Sequence, residues 1–171
     1  MAVLDLVLYP DHPLTVKAVP YESVGSELAQ LAEDMLETMH AYAGVGLAGP
    51  QVGISKRIFV LCEPEGEPMC LINPEILEME GCEEGEEGCL SMPQVFANVP
   101  RATRIRVRAL NELGKPQEFE ARDFLARIIQ HEYDHLEGIL FPDRLDIITR
   151  EAKLQEWETV RKQLLEAATR R

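Results

Sequence analysis

His131-Glu132-Tyr133-Asp134-His135 follows an apolar run of Phe124, Leu125, Ile128 and Ile129. That pattern predicts a helix, and residues four apart share one helical face. Both imidazoles can then reach one metal ion, and Glu132 can serve as general base toward a water the metal activates. Two histidines leave the set incomplete, because a catalytic site of this kind takes three protein ligands and keeps one position open. Thermolysin-like zincins take the third ligand from a glutamate on a downstream helix, and Glu151 and Glu156 fit that role. Metzincins need a further histidine, and Glu137-Gly138 is followed by none. The competing donor is Cys89, in Glu87-Gly-Cys-Leu-Ser-Met-Pro93, where glycine permits close backbone approach. A buried free cysteine is otherwise a small hydrophobe. His12, beside Pro13, reads as a turn residue, and His40 as the end of a helix.

Around this segment, Asp123 is a good N-cap, Gly138 a C-terminal stop, and Pro142 bars continuation. Leu28, Leu31, Ala32, Met35, Leu36 and Met39 recur at helical spacing between about Ser26 and Tyr42. Gly44 ends that helix and opens a glycine-rich segment reaching Gly53. Arg57–Cys62 and Met69–Ile72 read as strands. Arg104–Ala109 alternates cleanly and pairs through a turn at 111–114 with Gln117–Ala121. Residues 75–87 hold seven glutamates and no basic residue, which suggests a loop or an exposed strand edge. Residues 9–20, with three prolines, form an irregular arm. A last helix runs from about Thr149 toward residue 168, with Leu154, Trp157, Val160, Leu164, Leu165 and Ala168 on an apolar stripe. Helix, strands, helix, helix is an α+β order, and 171 residues suit one catalytic domain, 1–171, ending in the 149–171 helix.

Thirty acidic residues against seventeen basic ones give a net charge of −13, which excludes a chain-wide nucleic-acid-binding surface. Residues 150–171 carry six basic and four acidic side chains, so this tail is +2 and the remainder −15. That pattern fits a solvated helix with mixed pairs, or a docking element for a negatively charged partner. No run of 18 apolar residues predicts a membrane span, and no basic-then-apolar start predicts a signal peptide. Four cysteines without a CxxC pair fit a reduced, cytoplasmic protein.

Three segments occur together in one order: Gly44-Val-Gly-Leu-Ala-Gly-Pro-Gln51, Glu87-Gly-Cys-Leu-Ser91 and Gln130-His-Glu-Tyr-Asp-His135-Leu-Glu-Gly138. The chain thereby resembles the peptide deformylases, from Tyr9-Pro10-Asp11 to Phe141-Pro-Asp-Arg144. The resemblance implies antiparallel or mixed sheets around a central helix bearing the histidines, and hydrolysis of the N-formyl group from nascent formylmethionyl peptides. It makes Cys89, His131 and His135 the metal ligands, Glu132 the acid/base, and Gln51 and the Leu90 N–H the oxyanion donors. It implies ferrous iron in many members, with zinc, nickel or cobalt able to replace it. The peptide would lie as an added strand along Val45, Gly46 and Gly88, with Phe124 and Ile128 walling a methionine pocket. Arg101 stands at that pocket's rim or pairs with the glutamates at 83–87, which otherwise read as a solvated face. The resemblance also implies that the last helix can dock on the ribosome. Gly49 stands where the family usually has alanine, which would loosen the Gln51 loop, and Asp123 where it often has glycine. The rival readings are a zincin-like endopeptidase sharing only the histidine helix, and a non-catalytic metal-binding protein. Retention of Glu132 and Gln51 argues against the latter.

Overall fold

The structure is a computed structural model that describes residues 2–170. Arg171, counted among the basic residues of the tail, lies outside the described residues. The elements run α1 (Glu27–Ala41), β1 (Gly46–Ala48), β2 (Ile58–Leu61), β3 (Met69–Glu80), β4 (Glu83–Cys89), β5 (Met92–Arg101), β6 (Arg104–Leu110), β7 (Pro116–Arg122), α2 (Asp123–Leu136) and α3 (Ile147–Thr169). Short 3-10 turns cover Gly49–Val52 and Phe141–Arg144. The strands form a five-stranded sheet ordered β1-β2-β3-β6-β7 and a separate two-stranded sheet of β4 and β5. All the ladders are antiparallel, which makes the class α+β as the order of elements implied.

Both faces of the larger sheet are covered, and β2 shows how. All four of its residues are buried. Ile58 and Val60 join Leu28, Ala32, Met35 and Met39 of α1 on one side. Phe59 and Leu61 join Ala126, Ile128, Ile129 and Leu136 of α2 on the other, as a two-residue period requires. A third cluster packs Leu14, Phe141 and Trp157 against Val95, Ala97 and Val99 of β5.

Of the two forms expected for the glutamates at 75–80, a loop or an exposed strand edge, the structure has the exposed strand, and two other local expectations are corrected. These glutamates extend β3 alongside β6, where Arg104 meets Glu80 at 2.7 Å, Glu120 at 2.9 Å and Glu78 at 3.1 Å. Cross-strand arginines neutralise the run and let it pair. Asp123 does not cap α2. Arg122 occupies that position without a side-chain bond, while Asp123 has φ of +53°. The last helix starts at Ile147, two residues earlier than expected, because Asp146 accepts a hydrogen bond from the Thr149 N–H at 2.9 Å. Its stripe is shallow: Trp157 is its one buried residue among those described, and Leu165 is 48% exposed. No helix among the described residues is long and apolar enough to cross a membrane.

Candidate metal centre

Two sheets and one helix meet at the predicted residues. His131 and His135 lie on one face of α2 with ring centroids 5.0 Å apart. Cys89 ends β4 at a register shift in the tight hairpin to β5, a bulge of the kind that re-aims a side chain. Its Sγ lies 3.4 Å from His135 Nε2. One ligand atom each from Cys89, His131 and His135 falls within 4.8 Å of the others. Glu151 and Glu156 are elsewhere, exposed on α3 and facing Arg150 and Lys153, so the zincin-type third ligand is absent from this cluster.

Gln51 is 1% exposed, and its amide is oriented at both ends. Its Oε1 accepts from the Ala48 N–H at 2.9 Å, and its Nε2 donates to Ser91 Oγ at 3.2 Å and Cys89 Sγ at 3.4 Å. Gly49 is packed too closely for a side chain. A methyl there would sit 2.8 and 2.9 Å from the Ile54 and Lys56 carbonyl oxygens, so that space is already filled. The N-terminal arm ties the parts together, with Val7 N–H on Gln51 O at 2.7 Å and Tyr9 N–H on Ser91 O at 3.0 Å. Gly46 is small for a local reason: a Cβ there would lie 2.7 Å from the Glu132 carboxylate.

Behind the histidines is a charge network of which the sequence pattern offered only the Arg101 pairing. Glu87 Oε1 accepts from His131 Nδ1 at 2.8 Å, which leaves His131 Nε2 free to ligate. Arg101 grips Glu87 at 2.8 and 2.9 Å and Asp134 at 2.6 Å. Arg144 completes Asp134 at 2.7 and 3.0 Å. Arg101 is therefore a buried partner of two carboxylates, outside the cleft lining; of the two places expected for it, the pairing with the 83–87 glutamates is the one found, and the pocket rim is corrected. Glu87, 6% exposed, likewise departs from the solvated face expected of 83–87. The signals for this network were present: Glu87 adjoins Gly88-Cys89, Asp134 sits inside the histidine motif, and Arg127 lies one turn before His131.

Charge follows this environment. Burial would raise Glu87, but hydrogen bonds from Arg101 and His131 bring it down to about 2. Burial pushes Glu132 up to about 7, a range suited to passing a proton in either direction near neutrality. Burial would also depress His131, yet hydrogen bonds with Cys89 and Glu87 hold it well above the usual imidazole range. His135 is driven well below that range by burial and by its neighbour His131.

A divalent metal fits these residues. Two imidazoles and a thiol form a soft donor set open to several first-row ions. Glu132 Oε1 is buried with no hydrogen-bond partner among the described residues, an arrangement that is costly unless something polar occupies the site.

The centre opens into a cleft of about 440 Å³. Val45, Gly46, Gly88, Leu90, Phe124 and Ile128 line it together with Gln51, Cys89, His131 and Glu132. Phe124 is 45% exposed at its mouth, and Ile128 is buried. The cleft lies between β1, an edge of the larger sheet, and β4, which pairs with β5 alone.

Comparison with known proteins follows the same outline. The family model described as polypeptide deformylase matches residues 3–151. A peptide deformylase of Alkalilimnicola ehrlichii is 48% identical over 153 residues, covering 88% of this chain and 86% of the relative. The crystal structure of a Legionella pneumophila peptide deformylase superposes with a TM-score of 0.90 at 37% identity, covering 96% of this chain and 98% of that one. The Ehrlichia chaffeensis enzyme, solved in complex with actinonin, gives 0.89 at 39% identity, covering 95% and 98%.

Proposed function

The chain belongs to the polypeptide deformylase family, and from that premise we propose how its residues divide the work. It is a metal-dependent hydrolase that removes the N-formyl group from nascent polypeptides and releases formate. Cys89, His131 and His135 hold one divalent ion, and the whole chain, 1–171, acts as a single catalytic domain. The support is the convergence of those three donors within 4.8 Å, with the Gln51 amide turned toward the same hairpin tip. When bound, the ion polarises the formyl oxygen and lowers the proton affinity of water.

Glu132 takes a proton from the attacking water and returns it to the departing amine nitrogen. Oxygen adds to the formyl carbon, the C–N bond breaks, and formate and a free amino terminus leave. The Gln51 N–H that otherwise meets Cys89 Sγ, and the Leu90 N–H, donate to the carbonyl oxygen as charge collects there, each contributing about 3–4 kcal/mol in the transition state. Ser91, which the sequence did not single out, accepts from Gln51 and helps to aim that donor. The peptide lies as an added strand between the free edges of β1 and β4, contacting Val45, Gly46 and Gly88. Phe124 and Ile128 receive the methionine side chain, half exposed at the mouth and buried deeper in.

The thiolate offsets one charge of the ion and suits ferrous iron as the native metal, with zinc, nickel or cobalt as replacements. The basic residues of α3 offer a contact to ribosomal RNA, which cytoplasmic action on nascent chains would use. Unchanged ribosome co-sedimentation on deleting residues 150–171 would remove that contact from the proposal. Anaerobically prepared protein should release formate from formyl-Met-Ala-Ser and leave longer peptides uncut internally. Cys89→Ser should lose both metal and turnover. Retention of both would overturn the ligand assignment.

A further inference from the structure

The ligands are carried by two bodies that share no strand ladder: Cys89 by the two-stranded sheet, and the histidines by α2 on the five-stranded one. The N-terminal arm bridges them through main-chain bonds, and the register of α2 against the hairpin is left to side chains. We infer that Arg127 is the positioning residue that sets it, a role resting on the ligand assignment above. Arg127 lies one turn before His131, and its side chain is 13% exposed. Its Nη1 donates to Val99 O at 2.8 Å, Gly85 O at 3.3 Å and Glu87 Oε2 at 2.7 Å. Its Nη2 donates to Glu83 O at 2.7 Å. Three of these acceptors are main-chain carbonyls, so the guanidinium fixes the backbone of β4 and β5 directly. The fourth, Glu87, passes the constraint to His131 Nδ1.

Other links between the two bodies are of a different kind. Arg101 reaches only carboxylates, and Gln130 binds the main chain of Ala102 beyond the end of β5. Among the described residues, Arg127 is the one side chain of α2 that hydrogen-bonds to the main chain of β4. The sequence makes room for it, since a Cβ on Gly85 would lie 2.9 Å from the guanidinium carbon and 3.0 Å from Nε and Nη2. Lysine, a point charge with no fixed fork, cannot serve the same spread of carbonyls.

The test measures transfer of metal from cobalt-loaded protein to a chromogenic chelator, with KM and kcat on formyl-Met-Ala-Ser at saturating metal. Arg127→Met should release metal about tenfold faster, the scale on which groups supporting metal ligands act. KM should rise more than kcat falls, because the displaced β4 edge is also where the peptide pairs. Arg127→Lys should fall between. Gly85→Ala, which keeps the arginine but displaces it, should reproduce the effect and carries the same expectation if Arg127→Met fails to fold. Both changes act through one contact, so the double variant should release metal no faster than Arg127→Met alone. Release within twofold of the parent in both single variants, or independent multiplying effects, would overturn the role. Failure of the ligand assignment shows separately, as parental release kinetics in Cys89→Ser.

Discussion

Asp123 holds a backbone torsion that glycine adopts freely: φ is +53° at the first residue of α2, and its N–H is committed to Thr103 O at 2.8 Å. A side chain there pays for left-handed geometry, although aspartate tolerates it better than most. Asp123→Gly should raise stability by about 0.5–1 kcal/mol, relief of strain outweighing the added freedom of the unfolded chain. Deformylase turnover should be unchanged, and a denaturant melt in which the variant unfolds earlier than the parent would refute this. Gln51 presents the opposite case, a residue whose worth is chemical. Gln51→Met keeps its volume but removes the donor, and should lower kcat about 100-fold with the metal still bound. Both positions were marked in the sequence, one by its motif and one by its departure from glycine. The sign of the backbone angle at Asp123 was not, because a capping preference and a left-handed turn attract the same residue type.

Elements were legible where one period ran uninterrupted. α1, α2 and the β6–β7 hairpin follow their apolar spacing closely. β5 was hidden, and β4 was legible only as one of two forms open to its glutamate run. β4 is mostly glutamate and glycine, and the buried alternation of Val95, Ala97 and Val99 in β5 is masked by Pro93, Pro100 and a left-handed Gln94 at φ +69°. The Glu87–Arg101–Asp134 network joins residues 14 and 33 positions apart, a distance over which local pattern offers candidate partners but not their geometry. The outer face of β3, β6 and β7 is an ion lattice in which hydrogen bonds from Arg106 lower Glu118 and those from Arg104 lower Glu120. Both carboxylates sit below their unfolded values, so their stabilisation is complete above the ordinary glutamate range and fades as pH falls through the folded one. Arg104→Gln should therefore flatten the acid limb of the stability curve while leaving the alkaline limb alone. High salt should narrow the difference between the two proteins, since these groups are exposed.

At the scale of the molecule, distant parts of the chain close on one another. Trp157 Nε1 donates to Tyr9 O at 2.9 Å across 148 positions, and the same arm holds Gln51 and Ser91. Held by the proposed ligands, a metal would add a further cross-link between α2 and the β4–β5 hairpin. Chelation should lower stability by about 4 kcal/mol where free metal stood roughly a thousandfold above its dissociation constant. The same treatment should leave Cys89→Ser nearly unaffected, and equal losses in the two proteins would refute the cross-link. The division of the proposed ligands between α2 and the smaller sheet would also order events in time. Contacts local to α2 can form early, whereas joining Cys89 to them waits on closure of a long loop. A chain with both sheets formed but undocked offers two nitrogens and no sulfur, and it would let its ion go. Retained metal thus works as a coincidence detector, registering that separately built parts of one molecule have arrived together.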